Sequence, residues 1–104
     1  MGLQLLNGNG QMLEIQLEHL DPEDRRILQA GCVVGEHFAV GAVAPMLGGR
    51  AAPIEEACER LARRQQFIRL AGIHAAADGS LSTRFEFRHS LYRQALYRSL
   101  SATA

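Results

Sequence analysis

The spacing of hydrophobic residues changes near the C-terminal end of the chain, from every second position to every third and fourth. Hydrophobic and polar residues alternate over Leu81–Phe87, which is the period of a half-buried β-strand. From Ser90 onward, apolar residues recur three and four positions apart, as they do on one face of a helix. The pattern therefore predicts a strand followed directly by a helix that ends near Leu100, with His89 at the junction.

A first long helix is predicted to begin at Asp21-Pro22-Glu23-Asp24. Its first residue is a favourable N-cap, proline suits the first helical position, and the acidic residues favour the positive end of the helix dipole. Gly35 is expected to end this helix. Its predicted buried face consists of Ile27, Leu28 and Cys32. The preceding segment, Gln11–Leu20, fits both a strand and a helix by its spacing, and its helix-forming residues favour a helix.

Two shorter helices are predicted next. One follows Phe38 and ends at Gly48-Gly49, and because an interior proline removes a backbone hydrogen bond, Pro45 implies that it begins late or is kinked. Its inward residues are predicted to be Val40, Val43 and Leu47. The other is predicted to begin at Pro53. Its buried face is predicted to carry Ile54, Cys58 and Leu61.

A β-hairpin is predicted between the third helix and the last one. Gln66–Ile73 has the composition of a strand, Asp78-Gly79 is a turn signal, and the alternating strand follows. Three helices, a hairpin and a closing helix are the element order of a winged helix-turn-helix, an α+β fold that is mainly α. We predict one such domain over residues 11–100. Residues 1–10 are expected to be disordered or derived from an expression vector, and residues 101–104 to be frayed.

Composition limits the classes of function. The chain has 11 basic and 11 acidic residues, so its formal net charge of zero provides no overall attraction to nucleic acid or to an anionic membrane. Cys32 and Cys58 are far apart in apolar stretches and no secretion signal opens the chain, which favours reduced core thiols and a cytoplasmic location. The apolar stretch Ala30–Gly49 contains charged residues, proline and glycines, and is therefore a poor membrane span.

Three segments of the chain resemble a known family. They are LDPEDRRILQAGCVVGEHF (Leu20–Phe38), LARRQQFI (Leu61–Ile68) and FEFRHSLYRQALY (Phe85–Tyr97). Together they look like the winged-helix module that follows the nucleotide-binding core in STAND-class ATPases, the large bacterial signalling and transcriptional regulators. The resemblance covers nearly all of the chain after residue 11.

The resemblance implies a regulatory role for the junction histidine. In this class, a histidine in a Met-His-Asp-like motif reaches the nucleotide-binding core and contacts the ADP phosphates. His89 is the matching residue, with Arg88 beside it, whereas Phe87 or Arg88 stands in place of the methionine and Ser90 in place of the aspartate. ATP or ADP would be the cofactor of the parent protein, and the nucleotide-binding domain of the same chain would be the partner.

The fragment itself is expected to be non-catalytic and to bind no cofactor. It has no GxxxxGK[ST] loop, so it lacks the backbone cradle with which P-loop proteins hold ATP. Neither cysteine has a base or an oxyanion donor near it in the sequence. Cys32, Cys58, His37 and His74 have no metal-ligand spacing, and no metal site is expected. His89 itself has a simpler interpretation, in which it only caps or packs at a chain junction.

A DNA-binding winged helix and a dimerisation module are the alternatives. The arginines that could contact DNA or another domain are Arg60, Arg63, Arg64, Arg69 and Arg84. Glu55, Glu56 and Glu59 oppose DNA binding because they crowd the third helix, which enters the major groove in helix-turn-helix proteins. The helical pairs Glu56–Arg60 and Glu59–Arg63 are expected to neutralise the charge of this third helix. The simpler interpretation of the charged wing residues is a solvated strand face with one cross-strand charge pair among Arg69, Arg84, Glu86 and Arg88. Most aromatic residues are expected in the core. No membrane partner is expected, and a homodimer through exposed apolar surface is possible.

Overall fold

The computed structural model describes the backbone of residues 15–103 and the side chains of residues 15–100. Residues 15–18 are helical, which agrees with the helix predicted in Gln11–Leu20. The predictions for residues 1–10 lie outside the described part of the chain, as do those for residues 11–14 and 104. Four complete helices and three strands follow in the order α1 (Pro22–Val34), β1 (His37–Ala39), α2 (Val40–Leu47), α3 (Ala51–Arg63), β2 (Ile68–Ala75), β3 (Leu81–Phe87) and α4 (Ser90–Thr103).

The arrangement is the predicted winged helix-turn-helix, with α2 and α3 as the helical pair and β2–β3 as the wing. The strands form an antiparallel sheet in the order β1-β3-β2. β1 was not predicted, because three residues are too few to show a period-two pattern. It pairs Phe38 with Phe85, and β2 pairs Ile68 with Phe87, so each aromatic residue of β3 lies opposite an apolar residue of a neighbouring strand.

The core lies between this sheet and the helices. Phe38 is packed against Phe85 and Phe87, with ring centroids 6.3 and 5.6 Å apart, and all three rings are buried. The predicted buried faces of α1 and α3 are confirmed, since Ile27, Leu28, Cys32, Ile54, Cys58 and Leu61 are all buried. Helix α4 closes the fold by burying Ala95 and Leu96. Val40 and Val43 of α2 are buried as predicted, and Leu47 is partly buried.

Several element boundaries differ from the predictions for identifiable reasons. Helix α3 begins at Ala51 rather than Pro53, because a proline is tolerated anywhere in the first turn, where no backbone donor is needed. Helix α2 begins directly at Val40 and contains Pro45. Strand β2 begins at Ile68 rather than Gln66, because Phe67 has a φ of 68°, outside the β region. Helix α4 continues to Thr103.

The wing extends beyond the core. Leu81 is 71% exposed although it continues the alternation of β3, and Ile73 on the facing strand is 72% exposed. Strand β3 is therefore buried on one face only near its C-terminal end.

Over residues 15–103, no helix has the length and apolar character needed to cross a membrane.

Candidate site at the strand–helix junction

His89 connects β3 to α4 and occupies the N-cap position of that helix. Its Nδ1 atom accepts a hydrogen bond from the backbone N–H of Leu91 at 3.2 Å. Its carbonyl oxygen accepts one from the N–H of Tyr92 at 3.0 Å, and the His89 and Tyr92 rings meet edge-on with centroids 6.5 Å apart. The histidine, and not the following Ser90, thus uses its side chain to satisfy an open N–H group of the first turn.

These contacts fix which nitrogen of the ring faces outward as a donor. A backbone N–H group only donates, so the neutral imidazole must keep Nδ1 unprotonated and carry its proton on Nε2. The side chain is exposed, and Nε2 has no hydrogen-bond partner among residues 15–100, whose side chains the structure describes. The junction therefore presents an outward N–H donor beside the positive end of a helix, a combination that suits an anionic oxygen.

Arg88, which precedes His89, is bonded to the connection between α3 and β2. Its backbone N–H donates to the carbonyl oxygen of Phe67 at 2.9 Å, and its Nη1 donates to the carbonyl oxygen of Gln65. The structure therefore places the two predicted nucleotide-sensing residues next to each other, where both line one shallow concavity, and the guanidinium group of Arg88 is bonded to the α3–β2 turn.

A charge cluster on the outer face of the sheet lies beside His89. Glu86 accepts hydrogen bonds from Nε and Nη2 of Arg69 at 3.0 and 2.7 Å, and its other oxygen lies 3.7 Å from Nε2 of His37. The hydrogen bond from Arg69 lowers the pKa of Glu86 below its ordinary value of 4.5. Together with His89, these residues line a shallow concavity of about 330 Å³. The predicted cross-strand charge pair is thus present, and Arg69 is already neutralised.

Arg60 does not form the predicted pair with Glu56. Both carboxylate oxygens of Asp24 accept hydrogen bonds from Nη2 of Arg60, at 2.7 and 2.6 Å, which links α3 to the start of α1. This bond raises the pKa of Arg60, and Asp24 is only 7% exposed. Glu56 is exposed and lies on the opposite side of the helix from the buried stripe. The sequence does indicate that Asp24 faces the core, since it lies three and four positions before the buried Ile27 and Leu28 and therefore on the same side of α1.

The other candidate arginines are dispersed. Arg63 and Arg64 are exposed at the C-terminal end of α3, whereas Arg84 is exposed in the wing opposite Gly72. Along the outer side of α3, Glu56 is exposed and Glu55 and Glu59 are half-buried. The helix that would enter a DNA groove thus has three acidic residues along most of its length and basic residues only at its end.

The cysteines and histidines considered for a metal site are not brought together. Cys32 and Cys58 are fully buried in the core, whereas His37 and His74 are exposed on the sheet. Burial raises the pKa of Cys58 to about 12, with a smaller contribution from the charge of Asp24, and burial also raises the pKa of Cys32. Among residues 15–103, no group of three or more potential ligands could hold a metal ion.

Most of the aromatic residues lie in the core, as predicted. Phe67, Phe85 and Phe87 are buried, Tyr92 is half-buried, and Tyr97 is 51% exposed.

Comparison with known proteins identifies structural relatives of the fold. The chain matches no protein-family model and no curated protein. The antimony-specific transcriptional repressor AntR has a similar structure, with a TM-score of 0.58 and 15% sequence identity over 93% of this chain and 78% of the repressor. The adhesin competence repressor AdcR from Streptococcus pyogenes gives a TM-score of 0.57 and 17% identity over 98% of this chain and 72% of AdcR.

A possible transcriptional regulator from Methanosarcina mazei Go1 is also similar, with a TM-score of 0.53 and 8% identity over 89% of this chain and 80% of that protein. At these identities the similarity establishes the fold alone. The neighbours confirm the α+β, mainly helical winged-helix architecture that the order of elements predicts.

Proposed function

We propose that this chain is a non-catalytic regulatory module of a larger, cytoplasmic STAND-type ATPase. In this proposal the domain docks on the nucleotide-binding core of the same polypeptide, and Nε2–H of His89 donates to a phosphate oxygen of ADP. The observation that carries the proposal is the exposed cap histidine, whose outward nitrogen is a donor and whose other nitrogen is held by the backbone of Leu91.

The charge distribution on α3 supports an interdomain role. A recognition helix contacts phosphates and base edges, and three glutamates along its outer side would be repelled there. Arg60, the arginine nearest to them in the sequence, is bonded to Asp24. A winged helix with such a surface is better suited to contact a protein domain than a nucleic acid.

In the switch that we propose, the docked domain holds the ATPase in its ADP state. Exchange of ADP for ATP changes the phosphate that faces His89, and the winged helix then leaves the core as a unit. One hydrogen bond to a charged oxygen contributes about 1.5–3 kcal/mol. This is the largest change in the free energy of ADP binding that we expect from the loss of the His89 side chain.

The test is His89→Ala in the full-length ATPase that we propose contains this domain. The variant is expected to bind ADP about 10- to 100-fold more weakly, as measured by equilibrium titration, and to have a higher basal output. His74→Ala is the matched control, because His74 is also an exposed histidine but lies in the wing. Unchanged ADP affinity and output in His89→Ala would contradict the proposal.

A DNA-binding winged helix is the second candidate, and the comparisons with solved structures favour it. AntR and AdcR are transcriptional repressors, and the archaeal neighbour is described as a possible transcriptional regulator, whereas no ATPase is among these three. In this case the contacts would come from Arg63 and Arg64 at the end of α3 and from Arg84 in the wing.

Fluorescence anisotropy with a random DNA duplex distinguishes the two candidates. Binding through arginine–phosphate contacts would be strong at low salt, would weaken steeply at moderate salt, and would be reduced in Arg63→Ala/Arg64→Ala. The ATPase module is expected to show no such binding even at low salt. Salt-sensitive binding that depends on these arginines would establish the second candidate instead.

A further inference from the structure

The turn between α3 and β2 has an unfavourable backbone conformation at two positions. Gln65 has a φ of 56° and Phe67 a φ of 68°, in the left-handed region that residues with a Cβ atom rarely adopt. Phe67 is a large side chain and only 4% exposed, so its conformation is constrained by packing. Such a turn persists only where surrounding contacts hold it.

The turn is held by backbone hydrogen bonds at the end of α3, where the N–H groups of Gln65 and Gln66 donate to the carbonyl oxygens of Ala62 and Leu61, and by contacts from the strand–helix junction. The carbonyl oxygens of Gln65 and Phe67 both accept hydrogen bonds from Arg88, one from its guanidinium group and one from its backbone N–H. On the other side of the junction, the ring of Phe67 meets the ring of Tyr92 edge-on, with centroids 5.2 Å apart. The turn is thus attached to the chain both immediately before and shortly after His89.

We infer that Arg88 is a positioning residue for His89. By bonding the α3–β2 turn, Arg88 fixes the peptide that precedes His89, so that Nδ1 reaches the N–H of Leu91 and Nε2–H is held outward. The ligand of that outward donor rests on the proposed function, whereas the positioning itself does not.

NMR on the 104-residue chain tests the inference without any nucleotide. Long-range proton–nitrogen spectra of the neutral imidazole are expected to show the His89 proton on Nε2 in the wild type, and the Leu91 amide should be protected from hydrogen exchange. Arg88→Met, which keeps the length and removes the guanidinium donors, is expected to give a mixture of the two tautomers. The Leu91 amide, which has no other acceptor in the first turn, should exchange about tenfold faster.

Two further variants separate positioning from a general loss of stability. Arg88→Lys keeps one donor and should restore most of the Nε2–H tautomer, and Arg98→Ala, which removes an exposed arginine from α4, should leave it unchanged. Exchange at Leu28 and Leu96 in the core reports whether each variant is folded.

The inference is wrong if folded Arg88→Met keeps the tautomer and the Leu91 protection of the wild type. It is also wrong if Arg88→Met unfolds the chain, because Arg88 would then be a determinant of stability. Neither result depends on ADP binding. Failure of the proposed function would instead appear as unchanged ADP affinity in His89→Ala, with the His89 tautomer as inferred.

Discussion

Gly31 allows α1 to approach the aromatic core more closely than any other residue type would. A Cβ atom at this position would lie 2.8 Å from Cε2 and 2.9 Å from Cδ2 of Phe38, whose ring is fully buried against Phe85 and Phe87. Because that ring is buried against two other rings, its displacement is costly, and Gly31→Ala is expected to lower the free energy of unfolding by about 1–3 kcal/mol. Urea denaturation monitored by far-UV circular dichroism measures the change.

Gly48→Ala is the matched control for this prediction. Gly48 ends α2 with a φ of 63°, and a Cβ atom there would meet nothing within 4 Å, so the substitution affects only the backbone conformation. We expect a cost of about 1 kcal/mol at Gly48. A smaller loss at Gly31 than at Gly48 would show that Phe38 moves aside and that the close approach is not a constraint.

The hydrogen-bonded ion pair of Asp24 and Arg60 connects α1 to α3 at the level of whole elements. Replacing Arg60 by methionine leaves the nearly buried carboxylate of Asp24 without its partner. Because the Arg60 side chain is 37% exposed and water can partly replace it, we expect a loss of about 1–3 kcal/mol rather than the larger cost of a fully buried pair. Urea denaturation measures this change as well.

The double variant Asp24→Asn/Arg60→Met tests whether the unpartnered charge causes that loss. Since the charge is then absent, the double variant should be more stable than Arg60→Met alone. Arg63→Met, on the exposed side of the same helix, should change stability by no more than about 0.5 kcal/mol. Equal losses in the single and double variants would show that the pair contributes through packing and not through its charge.

The elements that could be predicted from the sequence are those with a clear hydrophobic period or a clear boundary signal. The period-two pattern predicted the first residue of β3 correctly, and the proline at the start of α1 did the same for that helix. Strand β1 has three residues and no period of its own, and it exists because Phe38 pairs with Phe85 from a distant part of the chain. Such pairing between distant segments cannot be inferred from local propensity.

The candidate site was predictable in its position but not in its contacts. The change of period after Phe87 placed His89 at a helix start, and the structure confirms that placement. The bonds from Arg88 to the α3–β2 turn depend on positive φ values at Gln65 and Phe67, which these residue types do not suggest. The Asp24–Arg60 pair joins residues 36 positions apart and competes with the local pair that helical spacing favours.

At the scale of the whole molecule, the two thiols report whether the domain opens as one unit. Cys32 lies in α1 and Cys58 in α3, and both are fully buried. Burial also raises the pKa of both thiols, so the reactive thiolate is scarce in the native state. Labelling by a thiol reagent at neutral pH therefore requires opening of the core, and both cysteines should react about a thousandfold more slowly than in urea, or slower still.

If the domain docks and leaves as one rigid body, as we propose, its core should open cooperatively, and the two cysteines should then be labelled at equal rates. Helix α4 supports this expectation, because Nε of Arg93 donates to the carbonyl oxygen of Cys32 at 2.9 Å and Leu96 is fully buried in the core. Mass spectrometry of peptides after timed labelling measures the two rates separately. If Cys32 reacted much faster than Cys58, α1 would open independently of α3. The movement that we propose would then include rearrangement within the domain, and the proposed contact at His89 would not hold the winged helix as a single body.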